Sequence, residues 1–119
     1  MKSRSIAESF SHAWRGFHHA VAHERNFRIH IICAVVAAIF CVVFRIDGIH
    51  SFMVLYAIFC VLCMELINTA VEAIVDMFCG TKPNRYAKIA KDCCAAAVLL
   101  AAAQAILIGV IVGQYLITR

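Results

Sequence analysis

Charge is what this sequence has least of. Only 15% of its 119 residues are Asp, Glu, Lys or Arg, and 64% are hydrophobic. A soluble domain carries about 25% charged and 45 to 50% apolar residues, so too little polar side chain is present here to cover a core with a solvated skin. Proline occurs once and glycine five times, which excludes a disordered or low-complexity chain. Neither a P-loop nor a kinase glycine loop is present, so no familiar phosphate cradle announces a function. What remains is a one-domain integral membrane protein.

Length locates the spans, because a helix rises about 1.5 Å per residue and the hydrocarbon layer is about 30 Å thick. Three stretches qualify, at about 27–44, 50–79 and 92–117. A backbone in lipid must satisfy its own hydrogen bonds, so continuous apolar segments of this length predict helices rather than the shorter, alternating strands of a barrel. Arg45-Ile46-Asp47-Gly48 predicts a tight reversal between the first two spans, and the segment 80–91, with the one proline, joins the last two. Basic side chains set the orientation. Lys2, Arg4, Arg15, Arg25, Arg28, Lys82, Arg85, Lys88 and Lys91 fall on one side, Arg45 and Arg119 on the other. Nine against two predicts a cytoplasmic N-terminus and an external C-terminus.

Residues 1–26 lack the apolar core and cleavage site of a signal peptide, but Ile6, Phe10, Trp14, Phe17 and Val21 recur at helical spacing. That stripe predicts an amphipathic helix lying in the membrane interface, packed on the bundle, or both. The second unit, 27–119, holds the three spans. Four of seven cysteines fall inside the spans and three near their ends, where they read as small apolar packing residues. Cys60-x-x-Cys63 has no second ligand pair to make it a zinc site. His19 and His23 have the spacing of a metal pair without a His-Glu-x-x-His motif, and read as polar face. Gly109 and Gly113, after an alanine-rich stretch, are expected to let helices approach closely, within or between subunits.

The second span is the informative one. A carboxylate in a membrane helix costs several kcal/mol unless paired, so intramembrane acids are functional candidates. With Glu65 as zero and about 100° per residue, Asn68 falls at about −60°, Glu72 at about −20°, Asp76 at about +20° and Thr69 at about +40°. All share one face. Glu65 lies about 10 Å deeper than Glu72, and the shallow end can meet Glu24 and Arg28 before the first span and Lys88, Lys91 and Asp92 before the third. Acids and bases gathered from several helices resemble a divalent-metal and phosphate site, since Mg²⁺ commonly takes one or two carboxylates plus substrate phosphates.

Met64-Glu-Leu-Ile-Asn-Thr-Ala-Val-Glu-Ala-Ile-Val-Asp76 closely resembles the signature of the small prokaryotic integral membrane diacylglycerol kinase family, with its Glu-x-x-Asn-x-x-x-Glu core. The likeness extends to Trp14-Arg-Gly16, Glu24-Arg-Asn-Phe-Arg28 and Ala87-Lys-Ile-Ala-Lys-Asp92, nearly the whole chain in the right order. His23-Glu-Arg-Asn-Phe-Arg-Ile-His30 is similar to the Gram-positive type, whose members resemble undecaprenol kinases. The resemblance implies an ATP- and Mg²⁺-dependent lipid kinase, undecaprenol as principal substrate with diacylglycerol as the alternative, and a homotrimer with shared sites. It implies the bacterial inner membrane, with the active site at the cytoplasmic face and membrane lipids, not nucleic acid, as partners.

Residue by residue, the resemblance implies Glu65 as general base, Asn68 orienting the lipid hydroxyl or the base, and Glu24 and Glu72 holding the metal. Lys91 would neutralise phosphate charge and Asp92 would contact the nucleoside side. Trp14, Arg15 and Arg28 join the nucleotide end, with Asp76 and Lys88 in support. Where the family commonly has Tyr-His in the loop over the nucleotide, this chain has Pro83-Asn84. Two other classes compete. A proton relay or transporter subunit also uses intramembrane acids, but three spans show no inverted repeat and no broken helix. A structural protein would pair the acids with a partner helix.

Overall fold

The computed structural model describes residues 5–80 and 82–119. Lys2 and Arg4, which count toward the orientation, lie outside the described residues, as does the beginning of the 1–26 segment. The described residues form four α-helices and no strand: α1 Ile6–His23, α2 Arg25–Val43, α3 Gly48–Cys79 and α4 Arg85–Thr118. The last three are each long and apolar enough to cross a membrane.

α1 starts at Ser5, whose hydroxyl accepts from the Glu8 N–H at 3.2 Å, satisfying one of the donors that a helix start leaves unpaired. It stops at Glu24, which is extended at φ −97° and ψ 113°, and α2 begins one residue later. Carbonyls orphaned by this break are taken up by Arg28, whose guanidinium donates to Val21 O and Ala22 O, each at 3.0 Å. Phe17 meets Phe27 edge to face at 5.3 Å, and Ala20 and Phe27 are fully buried. The elbow is therefore packed as well as hydrogen-bonded.

α2 ends in a Schellman arrangement, at the expected reversal. Ile46 N–H reaches back to Cys41 O at 3.0 Å, Arg45 sits at φ 47°, and Ile46 is buried with Cys41 packed against its cluster. This is the hydrogen bond, left-handed residue and apolar contact that close such a helix end, usually with glycine at the left-handed position. Asp47 then caps α3, accepting from the N–H groups of Ile49 at 3.0 Å and His50 at 3.4 Å.

α4 starts at Arg85, seven residues before the span expected at 92. Asn84 Oδ1 accepts from the N–H groups of Tyr86 and Ala87 at 2.9 and 3.1 Å, a cap that starts the helix before the apolar stretch begins. Hydropathy marks lipid depth, whereas capping marks where the helix starts. α3, with 32 residues, likewise measures about 48 Å, well beyond the hydrocarbon thickness.

α3 is the spine. It packs along α4 and α2, and α1 touches α2 and α3, but α2 and α4 make no close backbone approach to each other. The core is a small cluster of Ile46, Ala57, Ile108 and Val112, while Val36, Ile39, Leu99, Leu100 and Ile106 face outward. An apolar exterior with few internal contacts is what a hydrocarbon solvent permits. A Cβ built on Gly109 or Gly113 would meet nothing within 4 Å, so this pair brings no helices together within the chain. All seven cysteines are free. His19 and His23 stack at 4.3 Å, and no group of three metal-donor side chains forms among the described residues.

α2 and α4 are tied at the turn end. Arg119 donates to Phe44 O at 2.8 Å and Arg45 O at 3.2 Å, and its guanidinium lies 5.9 Å from the Tyr115 ring centre. Tyr115 stacks on His50 at 4.0 Å, and His50 Nδ1 lies 2.5 Å from Asp47 Oδ2. Partial desolvation works to raise the Asp47 pKa, but hydrogen bonds from the His50 and Tyr115 side chains and from two backbone N–H groups outweigh it. The carboxyl is held at about 2.

Replacing Arg45 by glycine should stabilise the fold by about 1 kcal/mol, because it relieves a left-handed non-glycine residue while keeping the carbonyl that Arg119 uses. Thermal melting in detergent followed by circular dichroism checks this; a lowered Tm would contradict it.

Candidate active site

The α3 acids form a gradient of burial. Glu65 is 3% exposed, Asn68, Thr69 and Glu72 are half-buried, and Asp76 is exposed. Glu65 does not stand alone: His30, on α2, places Nε2 3.2 Å from Glu65 Oε1. Residue-by-residue reading did not pick out this histidine as a site residue. Its signal is the spacing of Phe27, His30, Ala34, Ala37 and Cys41, the more buried stripe of α2, which puts His30 on the face turned to the bundle.

Asn68 Nδ2 donates to Glu72 Oε1 at 3.1 Å, an i, i+4 contact that fixes the amide's orientation. Its Oδ1 is buried with no hydrogen-bond partner, an acceptor that a native structure leaves empty only for a reason. The Thr69 hydroxyl is spent on the Glu65 carbonyl at 3.0 Å. Glu24, at the α1–α2 break, and Glu72 both lie near enough for their charges to act on Glu65. Glu24, Glu65 and Glu72 thus feel one another's charge, and Glu72 holds the amide whose Oδ1 has no partner, but among the described residues no three donor side chains close on a common metal position. Like charges at this spacing repel, and hard oxygen donors of this kind suit a divalent cation that also binds phosphate.

The bases stand around this group. Lys91, on α4, meets Asp76 at 2.5 Å across the helix pair, and Lys88 meets Asp92 one turn along at 2.6 Å. Arg28 is occupied at the end of α1. Trp14 is exposed and stacks on Phe17 with centroids 6.1 Å apart, and Arg15 reaches His12 on its own helix. Among the described residues neither Trp14 nor Arg15 hydrogen-bonds to the α3 acids. The structure therefore brings together Glu24, Glu65, Asn68 and Glu72, flanks them with Asp76–Lys91, and leaves Trp14 and Arg15 on the outer face of α1.

Beside His30 the gap between α2 and α4 opens as a groove of about 650 Å³, lined by all three long helices. Ala37, Val61, Ala105 and Val112 are representative of its walls, and His30 alone among the lining residues carries a titratable nitrogen.

A helix face of acids, buried at Glu65, thus lies close to a hydrocarbon-lined groove in a bundle of three membrane-length helices. Comparison with known proteins narrows the class. The model of the prokaryotic diacylglycerol kinase family matches residues 11–113, and the chain belongs to that family. It is 41% identical over 105 residues to a diacylglycerol kinase of Synechocystis sp., a match covering 88% of this chain and 60% of that protein's length. It is 33% identical over 105 residues to the undecaprenol kinase of Bacillus subtilis, covering 88% and 85% of the two chains. The diacylglycerol kinase of Escherichia coli is 28% identical over 96 residues, covering 81% and 78%.

The Asp76–Lys91 pair is partly exposed, so it contributes little to stability. Asp76→Asn should change unfolding free energy by less than about 1 kcal/mol. Thermal denaturation in detergent measures it, and a loss of several kcal/mol would show that the pair holds α3 to α4.

Proposed function

We propose that this chain is a membrane lipid kinase that transfers the γ-phosphoryl group of ATP to a lipid alcohol, with undecaprenol as principal substrate. The observation that carries the reading is Glu65, a carboxylate 3% exposed on an otherwise apolar helix, next to Asn68 and Glu72. Glu65 contacts His30, which lines the hydrocarbon groove, and a buried carboxylate at that position can accept a proton from a hydroxyl that arrives through the bilayer. The hydroxyl oxygen attacks the γ-phosphorus, Glu65 takes the proton, and the bond to the bridging oxygen breaks to leave ADP and the lipid phosphate. Asn68 offers its unpaired Oδ1 to orient the incoming hydroxyl.

Glu24 and Glu72 would hold Mg²⁺, which supplies neutralisation of the nucleotide phosphates. Lys91 adds positive charge, Asp92 faces the nucleoside, and Trp14, Arg15 and Arg28 lie toward the nucleotide end with Lys88. Undecaprenol as substrate is supported by the His23–His30 motif and by groove walls that offer hydrocarbon rather than donors for ester carbonyls. The second reading, diacylglycerol, is favoured by the 41% identity to the Synechocystis protein.

Purified protein given labelled ATP, Mg²⁺ and either undecaprenol, diacylglycerol or no lipid decides between them. Label in neither lipid would sink the kinase reading. Glu65→Gln should lower turnover by at least about 100-fold, the scale of a lost general base, with nucleotide binding kept. Glu72→Gln should weaken Mg²⁺-dependent nucleotide binding, and an unchanged Mg²⁺ titration would contradict its role.

The domain plan is an N-terminal interfacial segment over 1–26, whose described part holds the helix α1, followed by the kinase unit over 27–119. Exposed Ile6, Phe10 and Trp14 support the first part. The chain sits in the bacterial inner membrane with its N-terminus cytoplasmic, on the strength of nine bases against two. It assembles as a homotrimer, with the open surfaces at Gly109 and Gly113 available for another subunit's helix. Mass measurement of the detergent complex by light scattering tests this, and full activity from a monomer would refute it.

A further inference from the structure

The kinase reading gives Glu65 its proton-accepting role without using the contact that holds its side chain. Glu65 is 4% exposed at the side chain, and His30 Nε2 stands 3.2 Å from its Oε1. A carboxylate oxygen can only accept, so in this contact the histidine acts as donor through an Nε2–H. The histidine is itself placed by packing. Phe27, one turn earlier on the same face of α2, is fully buried and pinned edge-on by Phe17, so the inward direction of His30 is set by the α1–α2 elbow. His30 also borders the groove between α2 and α4, whereas Glu65 lies behind it on α3.

We propose that His30 is a positioning residue for the reaction: it holds one oxygen of the Glu65 carboxylate and thereby aims the other at the lipid hydroxyl. This rests on the reading of Glu65 as the base. The geometry favours positioning over plain packing for two reasons. A carboxylate with free torsions visits orientations that do not face the substrate, and a hydrogen bond to one oxygen selects among them. Solely as a space filler, an imidazole between alanines and valines would be a poor choice, since its ring nitrogen must find a partner when half-buried. Glu24 and Glu72 act on Glu65 through charge alone, and its neighbour Thr69 bonds to the backbone carbonyl of Glu65, not to its carboxylate. His30 is the side chain that fixes the carboxylate.

The test separates the donor from the ring. His30→Met and His30→Leu fill the site without a donor, and His30→Gln keeps an N–H that can reach the same oxygen. With the lipid that the wild type phosphorylates, the donor-less variants should lose about 10- to 100-fold in kcat, the size of a lost hydrogen bond to a charged group. KM for ATP and the Mg²⁺ titration should stay unchanged. His30→Gln should recover kcat to within about threefold of wild type. Either donor-less variant that elutes as the wild-type oligomer suffices for the comparison. Wild-type kcat in a donor-less variant overturns the proposal, and so does a His30→Gln as slow as His30→Met, because then ring volume and not the hydrogen bond matters. Failure of the underlying kinase reading looks different: the wild type itself labels no lipid, or Glu65→Gln turns over normally.

Discussion

A carboxylate withdrawn from water among apolar helices has to be answered by a donor or a cation, and in this fold the answer comes from a different helix. Glu65 on α3 meets His30 on α2, and that meeting presupposes most of the remaining architecture. α2 has to start one residue after α1 so that Phe27 is buried under Phe17. α3 has to run between α2 and α4 so that its polar face is enclosed at one end and open at the other. Arg28 has to satisfy the ends of α1 so that the break at Glu24 is stable enough to bring a second carboxylate close. The hydrophobic terms, weak between helices in lipid, hold the helices loosely. The polar contacts decide which faces meet.

Much of this was legible in the residues. Local periodicity places Glu65, Asn68, Glu72 and Asp76 on one face because that relation depends only on helical pitch, and the observed burial gradient follows their order along α3. Glu24 was legible as a boundary residue for the same local reason. His30 was harder, because its partner lies on another helix 35 positions away in the chain and nothing in its neighbourhood names that partner. The start of α4 was not legible from hydropathy, since apolar composition reports where lipid begins, while the Asn84 cap starts the helix before the apolar stretch. The Asp76–Lys91 pairing, too, depends on how α3 and α4 pack, which no periodicity in either helix specifies.

The division of labour among the helices follows from which pairs touch. α3 carries the candidate acids Glu65, Glu72 and Asp76 and is braced on both sides. α4 contributes bases at one end and small residues along its length. α2 contributes Arg28 and His30 near its start and is apolar from Ile31 to Val43. A reaction between a water-soluble nucleotide and a hydrocarbon-soluble alcohol needs such a boundary, with the acids and their counter-charges clustered at one end and an apolar slot leading to them.

The tie between Arg119 and the carbonyls of Phe44 and Arg45 joins α2 to α4 at the end remote from His30. Two rods fastened at one end and unfastened along the rest behave like tongs. Spreading them at the far end bends the pair about the fastening and parts no close backbone approach between them, so room for a bulky chain costs little in backbone packing. The stiffness of that outer fastening, some 20 Å from His30 by helical rise, then governs how readily the slot widens.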